Sequence, residues 1–222
     1  GPGSSILDCL SSHMPFWDKE IELAFATHPD ADHITGFKYV LESYTIKSFN
    51  ISEKESSTRI FAQIKNLIKE KNVPFKFLYA GDSYTLPDGV RIDTFWPTQE
   101  FVKIGSDNTN RYSLVQIMSF GKFKALFNGD ADVDILDNIF SSGISLDVYK
   151  LPHHGSKTGI DSTIFNLIHP AVSIISSGKN NRYGHPHPLV VSELKKHNLK
   201  YLRTDELGDI EVVTDGEKFS IT

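Results

Sequence analysis

The sequence predicts a mixed α/β fold with four layers, an αββα sandwich in which two mixed sheets pack between outer helices. Helix and strand patterns alternate over the first third of the chain, short strands with hairpin turns follow, and helices and strands alternate again towards the end. With 222 residues, of which 39% are hydrophobic, the chain is long enough for one substantial core. We therefore expect residues 1–222 to form a single domain.

Apolar spacing and capping residues define the predicted helices. They are expected at Ser4–Ser12, Gly36–Glu42, Ser57–Glu70, Asp132–Ser141, Ser162–Ile168 and Pro188–His197. Apolar runs between turn residues define the predicted strands. They are expected at Ile21–Thr27, Thr45–Ile51, Leu146–Leu151, Val172–Ser176, Tyr201–Arg203, Ile210–Thr214 and Lys218–Ile221. Short strands are also predicted between Phe75 and Phe95, and a hairpin joins Arg111–Phe120 to Phe123–Phe127.

Composition and charge exclude several kinds of binding site and metal site. The net charge of −5 and the pI near 6.0 exclude a uniformly basic nucleic-acid coat, but they leave a local basic groove open. A single cysteine, Cys9, excludes an internal disulfide and a thiolate zinc cluster, so any metal must be held by His and Asp. No apolar run approaches the roughly 18 to 20 residues of a membrane span, so the residues given are expected to be soluble. Gly1-Pro2-Gly3-Ser4 is either the remainder of a cleaved tag or a native glycine turn.

The first loop with metal-binding residues follows the predicted strand Ile21–Thr27. It holds His28, Asp30, Asp32 and His33 within six residues, and a cation would neutralise this concentration of charge. A solvated acidic turn that caps the next helix is the alternative interpretation. The two histidines favour the metal site, because a cap needs only the aspartate.

Two later loops, each after a predicted strand, carry further metal-binding side chains. Asp130 follows Gly129 at a strand end, where a carboxylate can bridge two ions, although a Gly-Asp pair is also common turn chemistry. His153 and His154 point in different directions because they are adjacent. One of them can therefore bind a metal while the other orients it or donates a proton.

A fourth loop, residues 181–188, combines an arginine with two histidines. Arg182 is suited to bidentate phosphate binding, and His185 or His187 could assist a leaving group. A structural role is the alternative for the histidines of the last two loops, but six of the nine histidines fall in these loops and the first one. The other three, His13, His169 and His197, are interpreted as structural.

Thr27 to His33 resembles the metallo-β-lactamase superfamily signature, His-x-His-x-Asp-His, with Asp30 in place of its second histidine. Three further segments follow in order: Gly129-Asp130-Ala131, Leu151-Pro152-His153-His154-Gly155-Ser156, and Asn181-Arg182-Tyr183-Gly184-His185-Pro186-His187-Pro188. The four motifs, on a match running from about Gly1 to Thr222, resemble the soluble hydrolase domain of ComEC-type DNA-uptake proteins.

The resemblance implies a metal-dependent phosphodiesterase, a nuclease that acts on single-stranded or double-stranded DNA during competence. It also implies that the full-length protein carries a membrane channel domain as a partner, and that this domain is a soluble, extracytoplasmic part of a bacterial membrane-associated protein. Carried over residue by residue, the implied metal ligands are His28, Asp30, Asp32, His33, Asp130 and His153, with His154 as the alternative to His153.

The remaining predicted roles concern catalysis and substrate. The predicted catalytic residues are Asp32, His154, Arg182, His185 and His187. The predicted substrate contacts are Ser156, Lys157, Asn181 and Tyr183. A path for phosphates also includes Lys179, with Tyr183 stacking on an unpaired base, and ordinary solvated loop residues are the alternative. Ser156 is not expected to be a nucleophile, because no Asp-His relay is readable around it.

Two departures from the family pattern matter. Such domains begin with a strand pair and a second strand ending in Asp-Gly-Gly-Pro, whereas this sequence starts inside that motif, at Gly1-Pro2. The predicted fold is therefore N-terminally incomplete, and the missing strands or a partner chain would complete the sheet.

In addition, no histidine lies between His33 and Asp130. The loop Asp107-Asn108-Thr109-Asn110 takes that place, so one metal site is expected to be weaker or to use Asn108.

The expected cofactor is a divalent metal, one or two ions, that activates a water as hydroxide for in-line attack on phosphorus. Aspartate in place of histidine makes the site harder, which favours Mn²⁺, with Zn²⁺ as the other candidate. Two other functions stay open. One is a small-molecule metallo-hydrolase of the same fold, such as a phosphodiesterase, phosphocholine esterase or lactonase, and the other is a catalytically silent metal-binding module.

Overall fold

The computed structural model describes residues 3–222, and the predicted start of the chain inside a motif at Gly1-Pro2 lies outside them. The chain forms two compact units. Unit 1 contains the residues up to Tyr79 together with Pro97–Leu114, and unit 2 contains Ala80–Trp96 together with Val115–Thr222. The prediction of one domain over 1–222 stays a prediction.

Helices and strands alternate along both units, as the sequence predicts. The helices are α1 (Ser5–His13), α2 (Ala31–Ser43), α3 (Arg59–Glu70), α4 (Gln99–Ile104), α5 (Val133–Ile139), α6 (Ile164–Leu167), α7 (Pro188–Lys196) and α8 (Thr204–Leu207). The strands are β1 (Glu20–Ile21), β2 (Ala24–Ala26), β3 (Thr45–Ile46), β4 (Phe49–Ile51), β5 (Phe75–Phe77), β6 (Ser83–Thr85), β7 (Arg91–Trp96), β8 (Val115–Phe120), β9 (Phe123–Phe127), β10 (Ile144–Lys150), β11 (Ile168–Ile175), β12 (Tyr201–Arg203), β13 (Val212–Thr214) and β14 (Phe219–Ile221).

Unit 1 is built on parallel strands, β1 with β3 and β2 with β4 and β5. The two long strands predicted here are each broken in the middle, but the register continues across the break. Hydrogen bonds from Lys47 N to Ile21 O and from Ala24 N to Ser48 O bridge it, at 2.8 and 2.9 Å. The apolar faces of α2 and α3 cover these strands with buried side chains. They include Ile34, Val40, Leu41, Phe61, Ile64 and Ile68.

Unit 2 contains a seven-stranded sheet in the order β12-β11-β10-β9-β8-β7-β6. The sheet is mixed, as predicted: β9 to β12 run parallel, whereas β6 to β9 run antiparallel. The carboxyl ends of parallel strands lie at one edge of a sheet, where loops of α/β proteins bind ligands. The loops after β9, β10 and β11 therefore meet at one edge, and they carry the second, third and fourth predicted motifs.

Several element boundaries differ from the prediction. Helix α2 begins at Ala31 and not at Gly36, because Asp30 has the extended backbone of an N-cap (φ −72°, ψ 146°) and its carbonyl accepts from His33 N and Ile34 N. Strand β8 begins only at Val115, because Thr109–Tyr112 forms a 3-10 turn. The short helices α4 and α8 were not predicted. None of the helices between residues 3 and 222 combines the length and apolarity that a membrane span requires.

Candidate metal centre

In unit 1, the first motif begins where strand β2 ends and continues into helix α2. His28 is fully buried, and His33 lies in the first turn of α2, with the two ring centroids 4.1 Å apart. His28 Nε2 lies 3.7 Å from Asp30 Oδ2, and His33 Nε2 lies 3.7 Å from Asp32 Oδ2. Each imidazole therefore presents its Nε2 atom to a carboxylate.

The Nδ1 atoms of these two imidazoles contact hydroxyl groups. Thr27 Oγ1 lies 3.1 Å from His28 Nδ1 and 3.2 Å from His33 Nδ1, and Ser113 Oγ also lies 3.1 Å from His28 Nδ1. Thr109 Oγ1 donates to Asp30 Oδ2 at 3.0 Å. The loop of residues 107–110 thus reaches the first motif through Thr109.

Asn108, the predicted substitute ligand in that loop, has a local role. Its Oδ1 accepts from Asn110 N at 3.1 Å and caps the 3-10 turn Thr109–Tyr112. That Asn108 binds a metal stays a prediction.

In unit 2, Asp130 and the His153-His154 pair lie together at the carboxyl ends of β9 and β10. Asp130 is 3% exposed, and its two carboxylate oxygens lie 3.7 Å from His153 Nε2 and 3.8 Å from His154 Nε2. Both histidines adopt positive φ, 49° and 54°. This conformation is uncommon for residues other than glycine and costs about 1–3 kcal/mol at each residue. The backbone is thus held in a strained arrangement that places both rings beside one carboxylate.

The Nδ1 atoms of this pair are held as well. His154 Nδ1 lies 2.7 Å from the carbonyl oxygen of Ser176, which can only accept, so Nδ1 carries the proton and Nε2 a lone pair when the ring is neutral. His153 Nδ1 lies 3.0 Å from Thr158 Oγ1. All four histidines of the first and third motifs therefore share one pattern, in which Nδ1 contacts a protein group and Nε2 faces a carboxylate.

The Nε2 to carboxylate separations fit donors that share a cation. At 3.7 to 3.8 Å they exceed the hydrogen-bond range. Two ligand atoms at about 2.1 Å from one ion, at a tetrahedral angle, lie roughly 3.4 Å apart. Imidazole nitrogens with carboxylate oxygens are a donor set for Zn²⁺ or Mn²⁺. Each cluster thus fits a divalent metal by chemistry and spacing.

The fourth motif forms a loop closed by Asn181. Its Nδ2 donates to the carbonyl oxygens of Gly178 and His185, at 2.9 and 2.6 Å, and its Oδ1 accepts from His185 N at 2.9 Å. Both ends of this amide are therefore committed to the loop backbone. The arrangement favours a positioning role for Asn181 over the predicted contact with substrate.

His185 lies between this loop and the His153-His154 pair. Its ring centroid lies 5.8 Å from that of His153, and on its other side the ring of Tyr183 stacks at 6.0 Å. Burial lowers the pKa of His185, and the charges of His153 and His154 lower it further. Among the described residues, His185 Nδ1 has no hydrogen-bond partner. Both effects on the pKa favour the neutral form of the His185 imidazole.

Tyr183 and Arg182 form the solvent end of this row of rings. Tyr183 is 65% exposed. The guanidinium of Arg182 lies 4.8 Å from the centre of its ring and donates to its hydroxyl at 2.6 Å. A planar cation and an aromatic face therefore lie exposed beside His185.

Other predicted residues have more local surroundings. Ser156 is buried, and its hydroxyl lies 3.1 Å from that of Thr158, which in turn contacts His153. His187 caps helix α7, because its Nδ1 accepts from Leu189 N at 3.2 Å. Lys157 and Lys179 are exposed on their loops. Ser156 and His187 thus have structural contacts, and their predicted chemical roles stay predictions.

The histidines interpreted as structural lie away from these clusters. His13 Nδ1 contacts Cys9 O within α1, His197 Nε2 lies 3.6 Å from Glu193 in α7, and His169 is exposed on β11. Their structural role stays a prediction.

The sequence did not reveal the groups that contact the candidate ligands. Thr27 adjoins His28 in the chain and could have been considered from the motif alone. Ser113 lies 85 residues away from its partner His28, so no local pattern signals it. Nothing in the sequence indicated that the amine of Lys150 lies close enough to Asp130 to be affected by its charge. Burial lowers the pKa of this amine, while the nearby charge of Asp130 opposes the shift, and Lys150 Nζ donates to Leu151 O at 3.0 Å.

Three bacterial proteins have similar sequences. "ComE operon protein 3" of Bacillus subtilis is 30% identical over 196 residues, which cover 87% of this chain and 24% of that protein. "Recombination protein 2" of Haemophilus influenzae is 26% identical over 208 residues, 90% of this chain and 23% of that protein. "Competence protein ComA" of Neisseria gonorrhoeae is 28% identical over 127 residues, 56% of this chain and 18% of that protein. The chain thus spans a quarter or less of the length of these homologues, and no protein-family profile matches it.

Solved structures agree on the architecture. The metallo-β-lactamase fold protein YhfI from Bacillus subtilis superposes with a TM-score of 0.60, at 12% identity, over 90% of this chain and 80% of its own. Igni18, a metallo hydrolase from the archaeon Ignicoccus hospitalis, gives a TM-score of 0.56 at 14% identity, over 97% of this chain and 83% of its own. At these identities the likeness concerns the fold alone.

Proposed function

The chain has the metallo-β-lactamase fold and homologues among competence proteins, and on that premise we propose that it is a metal-dependent phosphodiesterase that cleaves DNA during competence. The observation that carries this proposal is the shared geometry of four histidines, in which Nδ1 is held by the protein and Nε2 faces a carboxylate 3.7 to 3.8 Å away. Because the segments that match this chain make up at most 24% of each homologue, we further propose a partner domain in the full-length protein.

We propose that each unit contributes metal ligands, with His28, Asp30, Asp32 and His33 as the first donor set, in unit 1, and Asp130 with His153 or His154 as the second, in unit 2. A bound ion would supply a Lewis acid that activates water and neutralises charge on a phosphoryl group. Mn²⁺ is the favoured ion because carboxylates make up half of the first donor set, with Zn²⁺ as the other candidate.

The fourth motif supports phosphodiester chemistry. Arg182 offers paired donors that match phosphate oxygens, and Tyr183 offers an exposed face on which an unpaired base can stack. His185 lies between Tyr183 and His153, so it is placed to exchange a proton with an oxygen that leaves near the metal-binding pair. We infer that the substrate is single-stranded DNA in preference to a small phosphodiester.

Cleavage of labelled oligonucleotides and plasmid, beside bis-nitrophenyl phosphate, tests this proposal. We expect Mn²⁺-dependent cleavage that stops with chelator. The Asp130→Asn variant should lose at least about 100-fold in activity, because it removes the charge that faces both His153 and His154. Asp88→Asn is the matched control: Asp88 is exposed and accepts from Val90 N, a bond that asparagine can keep.

Two results would overturn the proposal. Activity of the wild type that survives exhaustive chelation would contradict a metal-dependent reaction. Turnover of bis-nitrophenyl phosphate with intact oligonucleotide and plasmid would instead indicate a small-molecule hydrolase of the same fold.

A further inference from the structure

The hydroxyl of Thr27 lies between the two imidazoles of unit 1. It is within hydrogen-bond distance of Nδ1 on both His28 and His33, at 3.1 and 3.2 Å. A threonine hydroxyl has one proton and can donate only once, but its oxygen can accept more than once. At least one of the two histidines must therefore donate to Thr27 through Nδ1–H.

Ser113 adds a second hydroxyl at His28 Nδ1, at 3.1 Å. Both Ser113 and His28 are fully buried, so bulk water does not replace this contact. His28 Nδ1 thus has two hydroxyl oxygens within hydrogen-bond distance. Protonation of His28 Nδ1 lets that nitrogen donate towards them.

The second nitrogen of each ring, Nε2, explains why the position of this proton matters. A neutral imidazole binds a metal through the nitrogen that lacks a proton, and the Nε2 atoms of His28 and His33 face Asp30 and Asp32. In unit 2 the carbonyl of Ser176 fixes the same proton arrangement on His154.

We propose that Thr27 and Ser113 are positioning residues, which hold His28 and His33 with the proton on Nδ1 and so leave both Nε2 lone pairs ready for a divalent cation. Thr27 acts on both rings and Ser113 on His28. The inference rests on the proposed metal centre and extends it to two side chains that do not themselves bind the ion.

Binding of Mn²⁺ alone, followed by the EPR signal of the free ion, tests this on the 222-residue chain. The variant Thr27→Val keeps the side-chain shape but removes the hydroxyl, and Thr27→Ser keeps the hydroxyl. We expect Thr27→Val to weaken Mn²⁺ binding by about 10- to 100-fold, the usual range for groups that support metal ligands. Thr27→Ser should stay close to the wild type.

A second readout uses the metal-free protein. Long-range ¹H–¹⁵N NMR correlations report which ring nitrogen carries the proton, and we expect Nδ1–H on His28 and His33 in the wild type and in Thr27→Ser. Thr27→Val should shift His33 towards the other tautomer, and Ser113→Ala should affect His28 only. Thermal unfolding in chelator shows whether each variant is folded, and Ser113→Ala carries the test if Thr27→Val does not fold.

The outcomes separate the two proposals. A wild type that binds neither Mn²⁺ nor Zn²⁺ overturns the metal centre itself. A wild type that binds Mn²⁺, with hydroxyl-free variants that bind it equally well and keep the same proton positions, overturns only the role of Thr27 and Ser113.

Discussion

At the scale of single residues, the candidate ligands could be identified from the sequence, whereas the groups that contact them could not. His28, Asp30, Asp32 and His33 stand within six positions, so their chemistry is visible without a structure. Ser113 meets His28 only because the chain returns to the strand end, where Leu114 N donates to Thr27 O. A contact between distant segments leaves no local pattern.

A residue-scale prediction concerns Asp205, which helps to anchor the chain before the fourth motif. It accepts two hydrogen bonds from Arg203, at 3.0 and 2.6 Å, and one from Ser177, at 3.1 Å. The hydrogen bonds from Arg203, more than any other cause, lower the pKa of Asp205. Asp205→Asn should therefore reduce the free energy of unfolding at pH 7 by about 1 kcal/mol.

The lowered pKa of Asp205 makes this stabilisation depend on pH. Because the folded pKa lies below the unfolded value of about 3.9, the stabilisation is present above that value and is lost as the pH falls through the folded pKa. Urea unfolding of both proteins between pH 7 and pH 3 should show the difference shrinking below about pH 4. A difference that stays constant over this range would contradict the ion-pair explanation.

At the scale of elements, helices and strands were predicted where apolar periodicity is strong and misplaced where polar residues determine the boundary. Helix α3 begins within two residues of its predicted start, and its buried face includes Ile64 and Ile68. Helix α2 begins five residues early because Asp30 takes the N-cap position, which places Asp32 and His33 on its first turn. The positive φ values of His153 and His154 could not be predicted, since non-glycine residues rarely adopt them.

An element-scale prediction concerns Gly155, which joins the third and fourth motifs. Its φ is +81°, its carbonyl accepts from His187 N at 2.9 Å, and a Cβ atom there would lie 2.8 Å from Pro186 Cβ. Gly155→Ala should destabilise the protein by about 2 to 4 kcal/mol, through backbone strain and overpacking together.

Gly208 provides the matched control for this measurement. It has almost the same φ, +80°, but nothing lies within 4 Å of an added Cβ. Gly208→Ala should therefore cost only the backbone strain, about 1 to 3 kcal/mol. Equal losses in urea unfolding for the two variants would show that contact with Pro186 contributes nothing.

At the scale of the whole molecule, the net charge of −5 opposes binding of a polyanion, so attraction to DNA must come from local groups. The fold class could be predicted because helix and strand patterns alternate along the chain. The division into two compact units could not, since unit 1 includes Pro97–Leu114 from beyond the first strands of unit 2. That segment carries Thr109 and Ser113, and no composition change marks it.

A prediction at this scale concerns the salt dependence of DNA affinity. If Arg182 contacts one phosphate, Arg182→Ala should weaken binding of single-stranded oligonucleotide and reduce the slope of log affinity against log salt by about 0.7. Lys122→Ala is the control, because Lys122 lies in the β8–β9 turn, at the other end of β9 from Asp130. An unchanged slope for Arg182→Ala, or an equal change for both variants, would contradict a phosphate contact at Arg182.

The central claim, that imidazole and carboxylate groups of this chain bind a divalent cation, is tested most directly by an anomalous-scattering map from crystals soaked in Mn²⁺. We predict a peak within coordination distance of His28, Asp30, Asp32 or His33 in unit 1, and within coordination distance of Asp130, His153 or His154 in unit 2. A map with no peak at these residues, from crystals in which Mn²⁺ occupies other sites, would contradict the account.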